Sequence, residues 1–194
     1  MLKVACLISI PFRHNVFLSK PSATPVAHPV PRECTSRARL PQVCRYYEAA
    51  SSFDRARALA KSNDNLIDCS NWLYVSLRRA SKDQEAAQIL TRITPEVKNT
   101  EPHLAFYLRL LHFYQGKLTE EAVLPPPPAG PEDLEGELAF NTVSYGVGNW
   151  RLYHHNDSAA IDLFSKVVKG EAWNSWGFIG SELELRRKKK PEPR

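Results

Sequence analysis

Apolar residues recur at helical spacing along most of the chain from residue 46 onwards. The pattern predicts helices over 46–61, 65–80, 83–93, 102–115, 138–153, 159–168 and 173–187. Pro95 and Gly116 stand where two of these helices should end, and the polar residues 156–158 precede another as a cap. Strand-like alternation is nearly absent, so the chain is expected to be all-α.

A short motif recurs inside these helices with a period near 37 residues. A small residue is followed four positions later by a larger one, and three positions after that by a third. The three sets are Ala49, Phe53, Ala56; Ala86, Leu90, Ile93; and Ala160, Phe164, Val167. A further member should fall near residue 123, where Ala122 and Val123 lie. Because a small residue lets a partner helix approach while a large one fills the space beside it, we expect the helices to pack in pairs.

The period and the small–large–small second helix resemble the tetratricopeptide repeat. The likeness covers about residues 46–170 and is cleanest over 47–59, with looser matches at 82–90 and 156–164. The spacing of 36 to 38 residues is longer than the 34 of the family, and the array begins within a repeat. The resemblance implies a short α-solenoid of helix pairs, with a concave groove lined by first helices and a C-terminal capping helix.

A partner in such a groove would contact polar residues on the first helix of each pair. Helical phase against the apolar positions selects six candidates: Asn71, Arg78, Arg79, Asn149, Tyr153 and His154. Arginine and asparagine hold peptide backbones and carboxylates through directed hydrogen bonds. The competing interpretation of Arg78 and Arg79 is that they are solvated cations at a helix end.

Three segments differ in composition. Residues 1–44 are rich in proline and are expected to form a disordered basic extension, 45–187 the helical repeat domain, and 188–194 a basic tail. A proline-rich stretch over 124–131, with four consecutive prolines, interrupts the domain and favours an extended conformation. This stretch is either a spacer or a ligand for an SH3 or WW domain.

The first residues allow several interpretations. Lys3 followed by the apolar stretch 4–12 is typical of a signal peptide, whereas the lack of acidic residues before Glu33 is typical of a transit peptide. An untargeted disordered extension and a gene start placed too early are the alternatives. We expect a cytoplasmic protein, or an exported or organellar one if residues 1–23 act as a targeting segment.

The cysteines favour the first of these locations. Cys6, Cys34, Cys44 and Cys69 form no CxxC motif and are too sparse for a disulfide-rich scaffold. A Cys34–Cys44 disulfide is compatible with the sequence, but free thiols in a reducing compartment are the preferred interpretation.

Charge is distributed unevenly. Residues 1–45 have a net charge of +6 and residues 186–194 of +5, which leaves 46–185 at −6. Since a nucleic-acid-binding domain carries its basic footprint on the folded body, no specific nucleic-acid partner is expected. The basic run 186–190 is either a helix end favoured by the helix dipole or a localisation-type patch. No apolar run approaches the roughly 18 residues of a membrane-spanning helix, so no membrane span is expected.

Residues with catalytic or metal-binding potential form no recognisable set. His154 and His155 are adjacent and would point about 100° apart on a helix, which suits a shared metal poorly. Gly146 and Gly148 lack the preceding strand, third glycine and lysine of a phosphate loop, and better suit close approach of two helices. No enzyme activity, metal or cofactor is therefore expected.

The sequence predicts a non-catalytic protein-interaction module that binds a peptide or a partner helix in the groove. The alternative is a structural remnant of a longer array, which packs into a larger assembly or self-associates through its uncapped amino-terminal edge. Exposed apolar surface at Tyr46, Phe53 and Leu59 would favour the alternative.

Overall fold

The computed structural model describes residues 42–130 and 132–189. This part of the chain contains eight α-helices: α1 Gln42–Ala58, α2 Asn63–Arg79, α3 Asp83–Leu90, α4 Leu104–Tyr114, α5 Glu120–Val123, α6 Leu134–Tyr153, α7 Asp157–Val167 and α8 Trp176–Lys189. No strand occurs in these residues, which confirms the all-α class. Residues 42–44 belong to α1 and 188–189 to α8, and the rest of the expected extension and tail lies outside the described residues.

The described residues divide into two compact units, one that ends at Lys98 and one that begins at Asn99. In the first unit, α2 contacts both α1 and α3. In the second, α6 contacts α4, α7 and α8, while α4 also contacts α5 and α7 also contacts α8. The span 45–187, expected as one repeat domain, is thus divided after Lys98. Within the described ranges, no helix is long and apolar enough to cross a membrane.

Polar side chains cap five helices at their amino termini. Each accepts a hydrogen bond from the backbone N–H three residues further on, at 2.9 to 3.4 Å: Ser62, Thr119, Asp133, Asn156 and Ser175. The cap expected within residues 156–158 is Asn156, and α7 begins at Asp157, two residues before the predicted start at 159. Asp133 also accepts from the Ala129 N–H at 3.0 Å, and its two backbone donors lower the pKa of its carboxyl group. The stabilisation from this carboxylate is therefore lost as the pH falls through the lowered pKa.

The helices α2, α4 and α6 all end in the same kind of turn. One residue past each cap, the backbone is left-handed, with φ of 58° at Ser81, 73° at Gly116 and 57° at His155. In each turn this residue donates to the carbonyl three positions back, and the next residue donates to the carbonyl five positions back, at 2.9 to 3.2 Å. These two bonds define a Schellman turn. Gly116 is thereby confirmed as the glycine that ends its helix, and two non-glycine residues adopt the same conformation.

Substitutions in these turns should change stability in opposite directions. An L-residue in the left-handed region costs about 1–2 kcal/mol, and glycine relieves this strain at the expense of a larger entropy loss on folding. Ser81→Gly and His155→Gly should therefore each raise the free energy of unfolding by about 0.5–1 kcal/mol, and Gly116→Ala should lower it by about 1 kcal/mol. Urea unfolding followed by circular dichroism measures all three.

The matched control is Gln115→Gly, because Gln115 is the right-handed cap residue beside Gly116, with φ of −75°. This change should only destabilise. If Ser81→Gly lowered the stability as Gln115→Gly does, strain at the left-handed residue would not limit the stability of the turn.

The small residues of the recurring motif lie in the core. Ala49, Ala86 and Ala160 are 4%, 0% and 0% exposed. Ala56 departs from the motif, since it is exposed. The buried stripe of α1 runs instead through Tyr47, Ala50 and Asp54, which are all under 9% exposed. The motif therefore marks buried residues at its first position in all three sets, at its third in two, Ile93 and Val167, and at its middle position only at Phe164.

Two glycines let α6 approach its neighbours closely. A Cβ atom on Gly146 would lie 2.5 Å from Leu110 Cδ2 of α4, and one on Gly148 would lie 2.2 Å from Phe164 Cε1 of α7. Real Cβ atoms do not come this close to another carbon. The expectation that these glycines serve helix packing is confirmed.

Candidate interaction surfaces

The carboxyl-terminal end of α2 carries Arg78 and Arg79, which are both half-buried. Arg78 Nε lies 3.1 Å from Asp83 Oδ1 at the start of α3. The Arg79 guanidinium carbon lies 4.9 Å from the ring centroid of Tyr46, in a cation–π contact. Both groups are held by internal partners, which fixes their positions and leaves only part of each side chain accessible.

Asn71, the third candidate on this helix, is only 3% exposed. It is buried because α2 is contacted by two helices, α1 and α3, so its middle turns have no free polar face. Its Oδ1 atom has no hydrogen-bond partner in the described part of the chain. The structure thus corrects the expectation that Asn71 lines an accessible groove.

Two titratable groups of α2 are also buried. Burial raises the pKa of the Tyr74 phenol, and the nearby Arg78 opposes this shift. Burial also raises the pKa of the Cys69 thiol to about 12, with a further contribution from the Asp68 carboxylate. The free thiol of Cys69 is therefore protonated at neutral pH and a poor nucleophile or metal ligand. The other cysteines, with the Cys34–Cys44 pair considered above, lie outside the described side chains.

Asn149, a candidate on α6, is 1% exposed. Its Nδ2 atom donates to the Tyr145 carbonyl one turn earlier, at 2.9 Å. Here the cause of burial is that α6 contacts three helices, α4, α7 and α8. The expectation that Asn149 faces a ligand is corrected in the same way as for Asn71.

The end of α6 does present an accessible surface. His154 is exposed and Tyr153 is half-buried. The His154 ring lies over Trp150 with a centroid distance of 4.0 Å, and its Nδ1–H donates to the Trp150 carbonyl at 2.8 Å. Trp150 in turn packs on Phe113 of α4, 5.2 Å between centroids. We call Trp150, Tyr153 and His154 the α6-end surface.

The six candidates thus fall into two groups in different units. Asn71, Arg78 and Arg79 lie on α2, and Asn149, Tyr153 and His154 lie at the end of α6. In each group the asparagine is buried, and the other two residues occupy the end of the helix. The accessible candidates are therefore helix-end residues.

A second accessible surface was not expected from the sequence. Leu134 is 61% exposed, Leu138 is 41% exposed and Trp173 is 72% exposed. The sequence predicts Trp173 as the first residue of the last helix, but α8 begins only at Trp176, which leaves Trp173 in the preceding loop. We call these three residues the Trp173 patch.

A buried carboxylate holds the loop of Trp173 against α6. Glu137 is 3% exposed, and its Oε1 atom accepts a hydrogen bond from the Ala172 N–H at 2.7 Å. A Cβ atom on Gly170 would lie only 2.1 Å from the same oxygen, so the backbone runs very close to it. Leu134 and Leu138 lie within about 100° of Glu137 around the helix. The loop therefore places Trp173 beside the turns of α6 that carry both leucines.

Exposed carboxylates flank the residues of the Trp173 patch along the chain. Glu132 and Glu135 lie on either side of Leu134, and Glu171 lies two residues before Trp173. Lys169 is the nearest exposed basic residue along this loop. Both segments that carry the patch are thus acidic beside their exposed apolar residues.

The expected self-association edge is partly covered. Tyr46 and Phe53 are half-buried, and Phe53 stacks on Trp72 with 6.3 Å between ring centroids. Leu59 is 36% exposed. Of the three apolar residues named for the alternative function, only Leu59 is an exposed residue.

In the described ranges, no group of three or more His, Cys, Asp or Glu side chains is arranged to hold a metal ion. No protein-family model, curated protein or solved structure matches the chain. The likeness to tetratricopeptide repeats thus depends on this chain's own sequence alone.

Proposed function

We propose that this chain is a non-catalytic protein-interaction module of the cytoplasm. It is built as a short solenoid of tetratricopeptide-like helix pairs and binds a peptide or a partner helix. The observation that carries the proposal is the repeated Schellman turn after α2, α4 and α6. The turn recurs with the same two hydrogen bonds 35 and 39 residues apart, a spacing close to the period of the sequence motif, which supports a chain of repeated helix pairs.

The contacts within the second unit support the same architecture. There α4 contacts α6, and α6 contacts α8, while the intervening α5 and α7 each contact the helix before them. In stacked helix pairs, first helices contact first helices in this manner, and the last helix covers the end of the stack. On this basis α8 is the capping helix, and α4 and α6 are first helices.

The binding residues in this proposal are the accessible members of the predicted set. At the end of α6, the half-buried Tyr153 and the exposed His154 offer a ring face and hydrogen-bonding groups on a rigid base of Trp150. Such amphipathic aromatic groups are enriched at protein interfaces. Arg78 and Arg79 contribute the corresponding groups on α2, where their internal partners fix their orientation.

The test is affinity capture with the tagged full-length chain and with a Tyr153→Gln/His154→Gln variant. We expect a distinct set of partner proteins to bind the parent and to be depleted at least about tenfold with the variant, since few residues carry most of an interface. Arg78 is left unchanged, because its removal would leave Asp83 without its ion-pair partner.

The matched control is Ser158→Gln/Lys166→Gln, two exposed positions on α7. This variant should retain the partners, and circular dichroism and thermal melting should show that all three proteins are folded. Partners that bind both variants equally would contradict the α6-end surface. Self-association in sedimentation experiments, with no other partner, would favour the truncated-array alternative.

A further inference from the structure

A polar-rimmed apolar surface lies at the other end of α6 and belongs to no part of the proposed groove. The nearest α6 residues of the two surfaces, Leu138 in the Trp173 patch and Trp150 in the α6-end surface, are separated by about 18 Å along the helix at 1.5 Å per residue. Either surface can therefore be altered without the other. The inference about the patch does not depend on the proposed repeat groove.

The patch has the composition of an interaction hot spot. A tryptophan that is 72% exposed leaves most of its side chain in water, and the exposed Leu134 and Leu138 lie on the turns of α6 against which the Ala172 backbone is held. Tryptophan is among the residues that contribute most to binding when a partner buries them. The Glu137–Ala172 hydrogen bond holds the loop in place before any partner arrives, which lowers the entropy lost on binding.

The size of the patch limits what can cover it. Its three side chains expose on the order of 300 Å² of apolar surface. A stable interface between two globular proteins buries about 800 Å² on each side. The area is too small for a dimer of this chain to depend on, and it suits one face of a short helix or extended segment.

The charge of the rim selects among short segments. Glu132, Glu135 and Glu171 are all exposed, and residues 99–185 as a whole carry twelve acidic against five basic residues. An acidic segment would bring like charges together at the edge of the patch, whereas a basic one would be attracted there. Complementarity therefore requires lysine or arginine on either side of the apolar anchors.

We propose that the Trp173 patch docks a short amphipathic segment of a partner protein, with an apolar face flanked by lysine or arginine. The ring of Trp173 and the side chains of Leu134 and Leu138 contact the apolar face. The three rim carboxylates contact the basic flanks and set the orientation of the segment.

The test uses two labelled peptides of about 18 residues, long enough for several helical turns. Both have leucine at helical spacing, and the remaining positions are lysine in one and glutamate in the other. Fluorescence anisotropy with the full chain should show at least about tenfold tighter binding of the lysine peptide. Trp173→Ser should weaken this binding by about tenfold or more, whereas Leu59→Ser, an exposed leucine in the first unit, should leave it unchanged.

The role of the rim is tested by matched charge reversals. Glu132→Lys/Glu135→Lys/Glu171→Lys should reverse the preference, so that the glutamate peptide binds more tightly. Glu101→Lys/Glu121→Lys/Asp162→Lys changes the net charge equally at exposed positions of the same unit and should preserve the preference for the lysine peptide. If both triple variants changed the peptide preference equally, diffuse electrostatic attraction would explain the preference and the proposal would be overturned.

Two further outcomes would overturn the proposal in favour of another occupant. Concentration-dependent dimerisation that Trp173→Ser abolishes would assign the patch to a second copy of the chain. Binding that appears only after Lys3→Glu/Arg13→Glu/Lys20→Glu, in the full chain, would assign it to the chain's own amino-terminal residues. If the α6-end surface proved to bind no partner, the interpretation of each of these experiments on the Trp173 patch would stay the same.

Discussion

Replacing Gly177 with alanine should lower the free energy of unfolding by about 3 kcal/mol, at the upper end of the range for overpacking a helix contact. A Cβ atom at this position would lie 2.0 Å from the carbonyl oxygen and 2.3 Å from the carbonyl carbon of Asn141 in α6. Because both are backbone atoms, no rotation of a side chain relieves the clash. One of the two helices must move.

The same contact contains hydrogen bonds that such a movement would break. Asn141 Nδ2 donates to Ser175 Oγ at 3.1 Å, and this hydroxyl oxygen accepts from the Phe178 N–H at 3.3 Å at the start of α8. Asn141 is 1% exposed and Ser175 is 6% exposed, so water would not readily replace these partners. The substitution therefore loses packing and polar contacts together. Thermal melting and urea unfolding of the full chain measure the loss.

Gly130→Ala is the control for Gly177→Ala, since a Cβ atom at Gly130 would meet no atom within 4 Å. It should change the stability by less than about 0.5 kcal/mol. In an open helix, glycine to alanine would stabilise by about 1 kcal/mol through helix propensity. A stabilised Gly177→Ala variant would therefore mean that α6 and α8 do not approach at this point.

Helix ends with local determinants were predictable from the sequence. Gly116 and the cap at Asn156 are confirmed because each acts through its own neighbouring residues. The start of α8 was predicted at residue 173 instead of 176. There the residue that caps the helix, Ser175, is held by Asn141, which is 34 positions earlier in the chain. A contact between distant residues leaves no local signal at the boundary.

The candidate binding residues show a different limit. Helical phase correctly places the apolar residues of α2 inside, and Leu73 and Leu77 are 0% exposed. Helical phase identifies accessible residues only where a helix has one buried face and one free face. Since α2 contacts two helices and α6 contacts three, Asn71 and Asn149 are buried although they are polar. Among the candidate binding residues, only those at the helix ends, where fewer helices pack nearby, remain accessible.

The exposure of Trp173 could not be predicted for a related reason. An aromatic residue in a mixed sequence is more often buried than exposed, and the spacing of apolar residues places Trp173 at the start of the last predicted helix. The loop that carries it is held to α6 by the Glu137 carboxylate, which accepts from the Ala172 N–H 35 positions later in the chain, and such a distant contact leaves no local signal at Trp173. The burial of Glu137 is not expected from the sequence, because glutamate is rarely fully buried without a partner.

Phe164→Ala is the second substitution with a large expected effect, a loss of about 3–5 kcal/mol. Phe164 is 1% exposed, and its ring lies 5.9 Å from that of Tyr145, measured between centroids. The ring also approaches the backbone of α6 at Gly148, where a Cβ atom would lie 2.2 Å from Phe164 Cε1. A cavity at this site would remain between two helices, α6 and α7, that are held together partly by this ring.

The contact between Phe164 and Gly148 also allows a test with milder substitutions, which do not unfold the chain completely. Phe164→Leu should cost about 1–2 kcal/mol and Gly148→Ala about 2 kcal/mol. Leucine lacks the ring atoms Cε1 and Cζ that a Cβ atom at residue 148 would meet at 2.2 and 2.7 Å. The double variant should therefore be more stable than the sum of the single effects predicts, by about 1 kcal/mol or more, because neighbouring changes are not additive.

The matched pair for this cycle is Phe164→Leu with Gly146→Ala. A Cβ atom at Gly146 would meet Leu110 and the Tyr114 hydroxyl, on α4, and not Phe164. These two effects should add to within about 0.5 kcal/mol, as they do for residues that share no contact. If the Gly148 pair were equally additive, the ring of Phe164 would not define the approach of α7 to α6. Coupling in the first pair alone would show that one ring and one missing side chain set the spacing of this helix pair.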